Sequence, residues 1–101
     1  MYNPFSLEGK TILITGASSG IGRITAIECS KMGATVILTG RNEERLIETF
    51  NSLHNKEINH KYYVADLADS TEIIRLVSLL PQLDGCVNNA GIGKTLPVQF
   101  I

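Results

Sequence analysis

The chain has 101 residues, 44% of them hydrophobic, and a formal net charge of -1. This length and apolar content suit one domain, residues 1–101, around a single core. The interspersed charges exclude a basic surface for nucleic acid or an anionic membrane. Apolar runs fall well short of the roughly 20 residues of a spanning helix, and the N-terminus lacks a secretory signal. These features predict a cytoplasmic protein with no nucleic-acid or membrane partner.

Strand and helix patterns alternate from the start of the chain. Thr11 to Thr15 forms a short apolar strand, followed by a helical pattern from Ile21 to Met32 that Gly33 ends. Thr35 to Thr39 is a β-branched second strand, and Asn42 is the predicted N-cap of the next helix. The first helix carries apolar and small residues that allow close packing on a sheet: Ile21, Ile24, Ala26, Ile27, Cys29 and Ser30.

The alternation continues to a fourth strand. The third strand spans about His60 to Ala65, and Asp69 with Glu72 gives the next helix a capping-box-like start. Pro81 ends that helix, and Leu83 to Asn88 is apolar enough to be buried on both faces. Helices between successive strands require right-handed crossovers, so the predicted fold is α/β, a doubly wound parallel sheet with the order βαβαβαβ.

Three glycines, Gly16, Gly20 and Gly22, lie where the first strand meets its helix. They permit a tight turn and close approach of a pyrophosphate, and the helix start offers unpaired N–H groups to that anion. A second motif, Asn88-Asn89-Ala90-Gly91, follows the fourth strand. Both motifs lie at carboxyl ends of strands, where doubly wound sheets bind ligands. The alternative is that the glycines only shape a turn and a tight helix contact.

The runs TGASSGIG at 15–22 and NNAG at 88–91 resemble the cofactor loop and the sheet-stabilising motif of the short-chain dehydrogenases/reductases. The Asp66-Leu67 pair is similar to the site where that family holds adenine. The resemblance implies a Rossmann-type fold and a nicotinamide dinucleotide partner. The implied contacts are Gly16, Ser18, Ser19, Gly20, Ile21 and Gly22 with the dinucleotide, Asp66 and Leu67 with adenine, and Asn88, Ala90 and Gly91 with the adenosine ribose and nicotinamide side.

The end of the second strand predicts which dinucleotide binds. An NAD site places an acid there for the ribose 2′-hydroxyl, whereas a 2′-phosphate favours a guanidinium. Here Gly40 occupies the acid's position and Arg41 follows it, which favours NADP(H) over NAD(H). Ser19 argues the other way, because many NADP-preferring relatives carry a second basic residue there. NAD(H) therefore stays as the alternative, as does a merely solvated Arg41.

The remaining reactive side chains receive no catalytic or metal role. Cys29 and Cys86 have no Cys-x-x-Cys spacing, and we expect both thiols to be buried. Cys86 lies within an apolar strand, where burial is expected to raise the pKa of its thiol. His54 and His60 frame a polar connection without a third ligand. We expect both to be solvated loop residues.

The family's catalytic set is missing from this sequence. The family reduces carbonyls with a tyrosine, a lysine four residues later and an upstream serine, and no Tyr-x-x-x-Lys occurs here. We expect an N-terminal portion that ends after the fourth strand, is inactive alone and forms a homo-oligomer when intact. Its substrate would be a small-molecule or carrier-bound carbonyl, from 3-oxoacyl chains on acyl carrier protein through sugars and steroids to small alcohols. The alternative is a non-catalytic dinucleotide-binding or interaction module complete at this length.

Overall fold

A computed structural model of the chain describes residues 6–18 and 20–89. Within them, strands and helices alternate as predicted. In chain order they are β1 (Thr11–Thr15), α1 (Gly20–Lys31), β2 (Thr35–Gly40), α2 (Glu43–Asn51), β3 (Lys61–Val64), α3 (Ser70–Leu79) and β4 (Gly85–Asn88). β1 has the predicted bounds, whereas β3 and β4 are shorter because His60, Ala65 and Leu83 lie outside the paired positions. No helix in this part of the chain has the length and apolar character needed to cross a bilayer.

The strands form one parallel sheet in the order β3-β2-β1-β4, which confirms the predicted Rossmann-like α/β architecture. The chain moves outward from β1 through β2 to β3 and then returns to the other side of β1 for β4. The strand order therefore reverses between β1 and β4. In open parallel sheets such a reversal opens a crevice at the carboxyl ends of the strands.

Helices cover both faces of the sheet, so the sheet divides the single predicted core into two apolar cores, and strand side chains alternate between them. Ile14 and Leu46 belong to the core under α1 and α2. Leu13 and Leu76 belong to the core under α3. Because both faces of the central strands are covered, their sequences are nearly continuous apolar runs.

The predicted N-caps are confirmed at α2 and α3. The Asn42 side chain accepts a first-turn backbone N–H at 3.0 Å, and the Asp69 side chain accepts one at 2.9 Å. The capping-box arrangement predicted for Glu72 is wrong. Its carboxylate pairs with Arg75 at 3.1 Å, and the Asp69 N–H donates to the Asp66 carbonyl at 3.1 Å.

Helix α1 contacts the sheet through its small residues, as predicted. The buried positions are Gly22, Ala26, Cys29 and Ser30. The isoleucines contribute less, since Ile21 is 74% exposed and Ile24 is 63% exposed, whereas Ile27 packs partly against the core. Gly33, with φ of 95°, follows the helix end in the left-handed conformation expected there.

The prediction for the histidines is wrong for His60. His54 is exposed, but His60 is only 7% exposed. Its Nδ1 accepts the Val36 N–H at 3.0 Å, and its Nε2 lies 3.0 Å from the His54 carbonyl oxygen. Nε2 must therefore carry the proton, and His60 fastens β2 to the segment before β3. Among the described residues, no group of three or more His, Cys, Asp or Glu side chains could hold a metal ion.

Candidate functional site

The glycine loop between β1 and α1 uses its glycines for two different reasons. Gly16 and Gly20 have φ of 62° and 58°, in the left-handed region that favours glycine. Gly22 is needed for space, because a Cβ there would collide with the Gly16 carbonyl. The loop is thus held close against the first turn of α1. Ser19 lies outside the described residues.

The first turn of α1 is available to an anion. A helix begins with N–H groups that have no partner within the helix and with a positive dipole end. Acidic residues occupy the first turn of the other two helices, at Glu43 and Glu44 in α2 and Glu72 in α3. α1 has none there. Its positive end is therefore not offset by a side chain of its own, which suits an anionic ligand.

Both backbone groups of Ala17 anchor the loop. The Ala17 N–H donates to the Thr39 carbonyl at the end of β2, at 3.1 Å. The Ala17 carbonyl accepts the Thr49 hydroxyl from α2 at 2.8 Å. Neither threonine was identified from the sequence, because each contact joins residues far apart in the chain. The loop is therefore fixed by β2 and α2 as well as by α1.

The end of β2 lies directly beside the loop. Gly40 is buried, and a Cβ at that position would lie 3.0 Å from the Ser18 Oγ. Glycine therefore makes room for Ser18. Arg41 follows on the surface, and it takes part in none of the ion pairs formed by the described residues. Arg41 is thus a cation with no ion-pair partner among the described residues, and it directly follows Gly40, which has no side chain.

The Asp66-Leu67 pair follows β3 at the same end of the sheet. The Ala65 N–H donates to the Gly40 carbonyl at 3.0 Å, which joins the ends of β3 and β2. The Asp66 Oδ1 accepts the Ala68 N–H at 3.0 Å, so a local turn orients this carboxylate. Leu67 is buried in the core under α3.

Thr15 connects the two sequence motifs across the crevice. Its hydroxyl donates to the Asn88 Oδ1 at 2.8 Å and accepts the Asn89 N–H at 2.9 Å. Within the described residues, the Asn89 side-chain amide nitrogen is buried without a partner. Ala90 and Gly91 lie outside those residues. The structure therefore brings the loop, Arg41, Asp66 and Asn88 to one end of the sheet.

The two thiols lie away from this arrangement and are buried, as predicted. Burial raises the pKa of Cys86. Burial, and to a lesser extent the negative charge of Glu28, raises the pKa of Cys29. Neither thiol is a ready nucleophile at neutral pH.

The fold and the loop together define a Rossmann-like α/β protein. The family profile described as "short chain dehydrogenase" matches residues 10–101. The chain belongs to the short-chain dehydrogenase family. It is 46% identical over 95 residues to a 3-oxoacyl-[acyl-carrier-protein] reductase of Rickettsia prowazekii, covering 93% of this chain and 38% of that protein. It is 39% identical to an uncharacterized oxidoreductase of Escherichia coli, covering 92% of this chain and 40% of that protein.

Solved structures show the same likeness. A short chain dehydrogenase of Escherichia coli complexed with NADPH superimposes with a TM-score of 0.71 at 38% identity, over 87% of this chain and 40% of that one. A short chain dehydrogenase of Shigella flexneri complexed with NADP gives a TM-score of 0.71 at 38% identity, over 89% of this chain and 41% of that one. The chain thus spans about two fifths of the length of these proteins.

Proposed function

We propose that this chain is the coenzyme-binding portion of an NADP(H)-dependent oxidoreductase that interconverts a carbonyl and an alcohol. One observation carries the proposal: the glycine loop leads into a helix start without acidic residues, beside a β2 end where Gly40 precedes Arg41. Backbone amides suit a diphosphate, and a guanidinium suits a 2′-phosphate. The reductase name of the Rickettsia relative and the NADPH complex of the Escherichia coli neighbour support it.

Each part of the coenzyme would meet a different segment. The glycine loop and the start of α1 would hold the diphosphate, and Arg41 would neutralise the 2′-phosphate. Asp66 and Leu67 would hold the adenine. The proposed contact residues are Gly16, Ser18, Ser19, Gly20, Ile21, Gly22, Arg41, Asp66, Leu67, Asn88, Ala90 and Gly91.

When bound, the coenzyme supplies a hydride from its nicotinamide ring. The residues of this chain bind and orient it, and the sequence has no Tyr-x-x-x-Lys to supply a proton to the carbonyl oxygen. As the finer proposal, the substrate is a 3-oxoacyl chain on a carrier protein, following the name of the Rickettsia relative. The intact protein is proposed to be a cytoplasmic homo-oligomer.

The test is fluorescence titration of the wild-type chain and an Arg41→Ala variant with NADPH and NADH. We expect Arg41→Ala to weaken NADPH binding about 10- to 100-fold, because a hydrogen bond to a charged group contributes about 1.5–3 kcal/mol. NADH binding should change little, since NADH lacks the 2′-phosphate.

Lys31→Ala is the matched control, because it removes the same charge at the C-terminal end of α1, about 17 Å along the helix from Gly20, where salt screens its effect. It should alter neither affinity. An equal loss of NADPH and NADH binding in Arg41→Ala, or tighter binding of NADH than NADPH by the wild type, would contradict the coenzyme assignment.

A further inference from the structure

Thr49 makes an unusual contact for a helical threonine. It is fully buried, and its hydroxyl lies 2.8 Å from the Ala17 carbonyl oxygen, nearer than the 3.2 Å to the carbonyl of Arg45 one turn back. In α1, Thr25 instead makes the ordinary bond within its own helix, to the Ile21 carbonyl at 2.7 Å. A hydroxyl has one proton to donate. Thr49 donates it across to the glycine loop.

This bond sets the direction of an amide in the loop. The Ala17 carbonyl and the Ser18 N–H belong to one planar trans peptide, so they point in opposite directions. Fixing the carbonyl towards Thr49 therefore turns the Ser18 N–H away from α2. The Ala17 N–H, bonded to the Thr39 carbonyl at 3.1 Å, fixes the preceding peptide as well.

We propose that Thr49 is a positioning residue for the coenzyme: it holds the Ala17–Ser18 peptide so that the Ser18 N–H faces the anionic ligand. This inference rests on the proposed function. Thr49 and Leu46 both lie on α2, which begins just after Arg41, and the Leu46 Cδ1 would lie 3.5 Å from a Cβ at Gly40. One helix thus aligns the loop with the cation.

The loop contacts a part of the coenzyme that NADPH and NADH share, so the effect of Thr49 should differ from that of Arg41. We expect Thr49→Val to weaken the binding of both coenzymes by about tenfold, because the buried Ala17 carbonyl loses its donor. Thr49→Ser, which keeps the hydroxyl, should bind within about twofold of the wild type. Thr49→Cys, with a weaker donor, should fall between them.

Ser30→Ala is the matched control for stability. Ser30 is a buried hydroxyl that donates to the Ile27 carbonyl at 2.7 Å and accepts the His54 N–H at 2.9 Å, remote from the loop. We expect this variant to lower the melting temperature while leaving both dissociation constants unchanged. If Ser30→Ala weakens coenzyme binding as much as Thr49→Val does, the role of Thr49 is only structural and the inference is wrong.

A second measurement separates this inference from the proposed function. In the chain without coenzyme, the NMR amide resonance of Ser18 should move in Thr49→Val and stay in place in Thr49→Ser. An unmoved Ser18 resonance overturns the inference. If the Ser18 resonance moves in Thr49→Val but the wild-type chain binds neither coenzyme, the proposed function is wrong while the role of Thr49 in positioning the loop is supported.

Discussion

The two ends of the sheet are both fastened by polar side chains, but the side-chain bond to the glycine loop runs in the opposite direction from the bonds at the amino end. At the amino end, side chains accept from strand N–H groups. The Asp84 carboxylate accepts the Thr11 N–H at 2.8 Å, and the His60 ring accepts the Val36 N–H at 3.0 Å. At the carboxyl end, the Thr49 hydroxyl donates to a loop carbonyl.

The difference decides which backbone groups remain for a ligand. Accepting side chains at the amino end satisfy the backbone donors there. The Thr49 side chain, from α2, donates to a carbonyl of the glycine loop and leaves amides of the loop and of α1 for an acceptor from outside. An anion therefore suits the carboxyl end, and the amino end contributes stability.

Gly22→Ala should have the largest effect, because it acts where the loop and α1 touch. A Cβ there would collide with the Gly16 carbonyl, which is backbone and cannot rotate aside. We expect stability to fall by about 1–3 kcal/mol and coenzyme binding to be lost. Chemical denaturation and fluorescence titration measure the two effects.

Gly9→Ala is the control from the amino end. Gly9 has φ of 78°, and a Cβ there would meet nothing within 4 Å. This variant should lose about 1 kcal/mol from backbone strain and keep its coenzyme affinity. Unchanged coenzyme binding in Gly22→Ala would show that the loop does not need this close contact.

The sequence predicted the features that depend on neighbouring residues. β1, the caps at Asn42 and Asp69, and the glycine at the end of α1 all follow from local conformational preferences, and all are observed. The parallel sheet follows from the alternation of strands and helices.

Features that depend on contacts distant in sequence were missed. In the sequence His60 has the pattern of a polar loop residue, and only the structure shows that its ring accepts the Val36 N–H of β2. Thr49 contacts a loop 32 residues earlier, and nothing in the pattern of α2 marks it. The apolar spacing of α1 likewise does not show that Ile21 and Ile24 face outward. The sequence motifs predicted where the site lies, but the hydrogen bonds that position it could be identified only from the structure.

His60→Ala should have a smaller overall effect than Gly22→Ala, because it lowers stability by a similar amount but leaves coenzyme binding intact. It removes the acceptor for a buried strand N–H, and we expect a loss of about 2–3 kcal/mol in the free energy of unfolding. Coenzyme affinity of the folded protein should not change, because the bond lies at the amino end. His54→Ala is the control: this side chain is exposed, and its removal should cost less than about 0.5 kcal/mol. Equal losses in the two variants would show that the ring of His60 is not the acceptor.

Thr39→Val should have the smallest effect, and unlike the other substitutions it should raise the free energy of unfolding. Thr15 and Thr39 are paired across β1 and β2, and both are fully buried. The Thr15 hydroxyl has its partners at Asn88 and Asn89, whereas among the described residues the Thr39 hydroxyl has none.

A buried hydroxyl without a partner keeps its desolvation cost and gains no bond in return. Thr39→Val should therefore raise the free energy of unfolding by about 0.5–1 kcal/mol, whereas Thr15→Val should lower it by about 1–2 kcal/mol. The carbonyl of residue 39, which holds the loop, is unaltered by the first change, so the coenzyme affinities should match those of the wild type. A clear loss of stability in Thr39→Val would mean that this hydroxyl does have a partner in solution. The two threonines would then no longer differ as the structure indicates, and the stabilising bonds at the carboxyl end would extend across β2 as well.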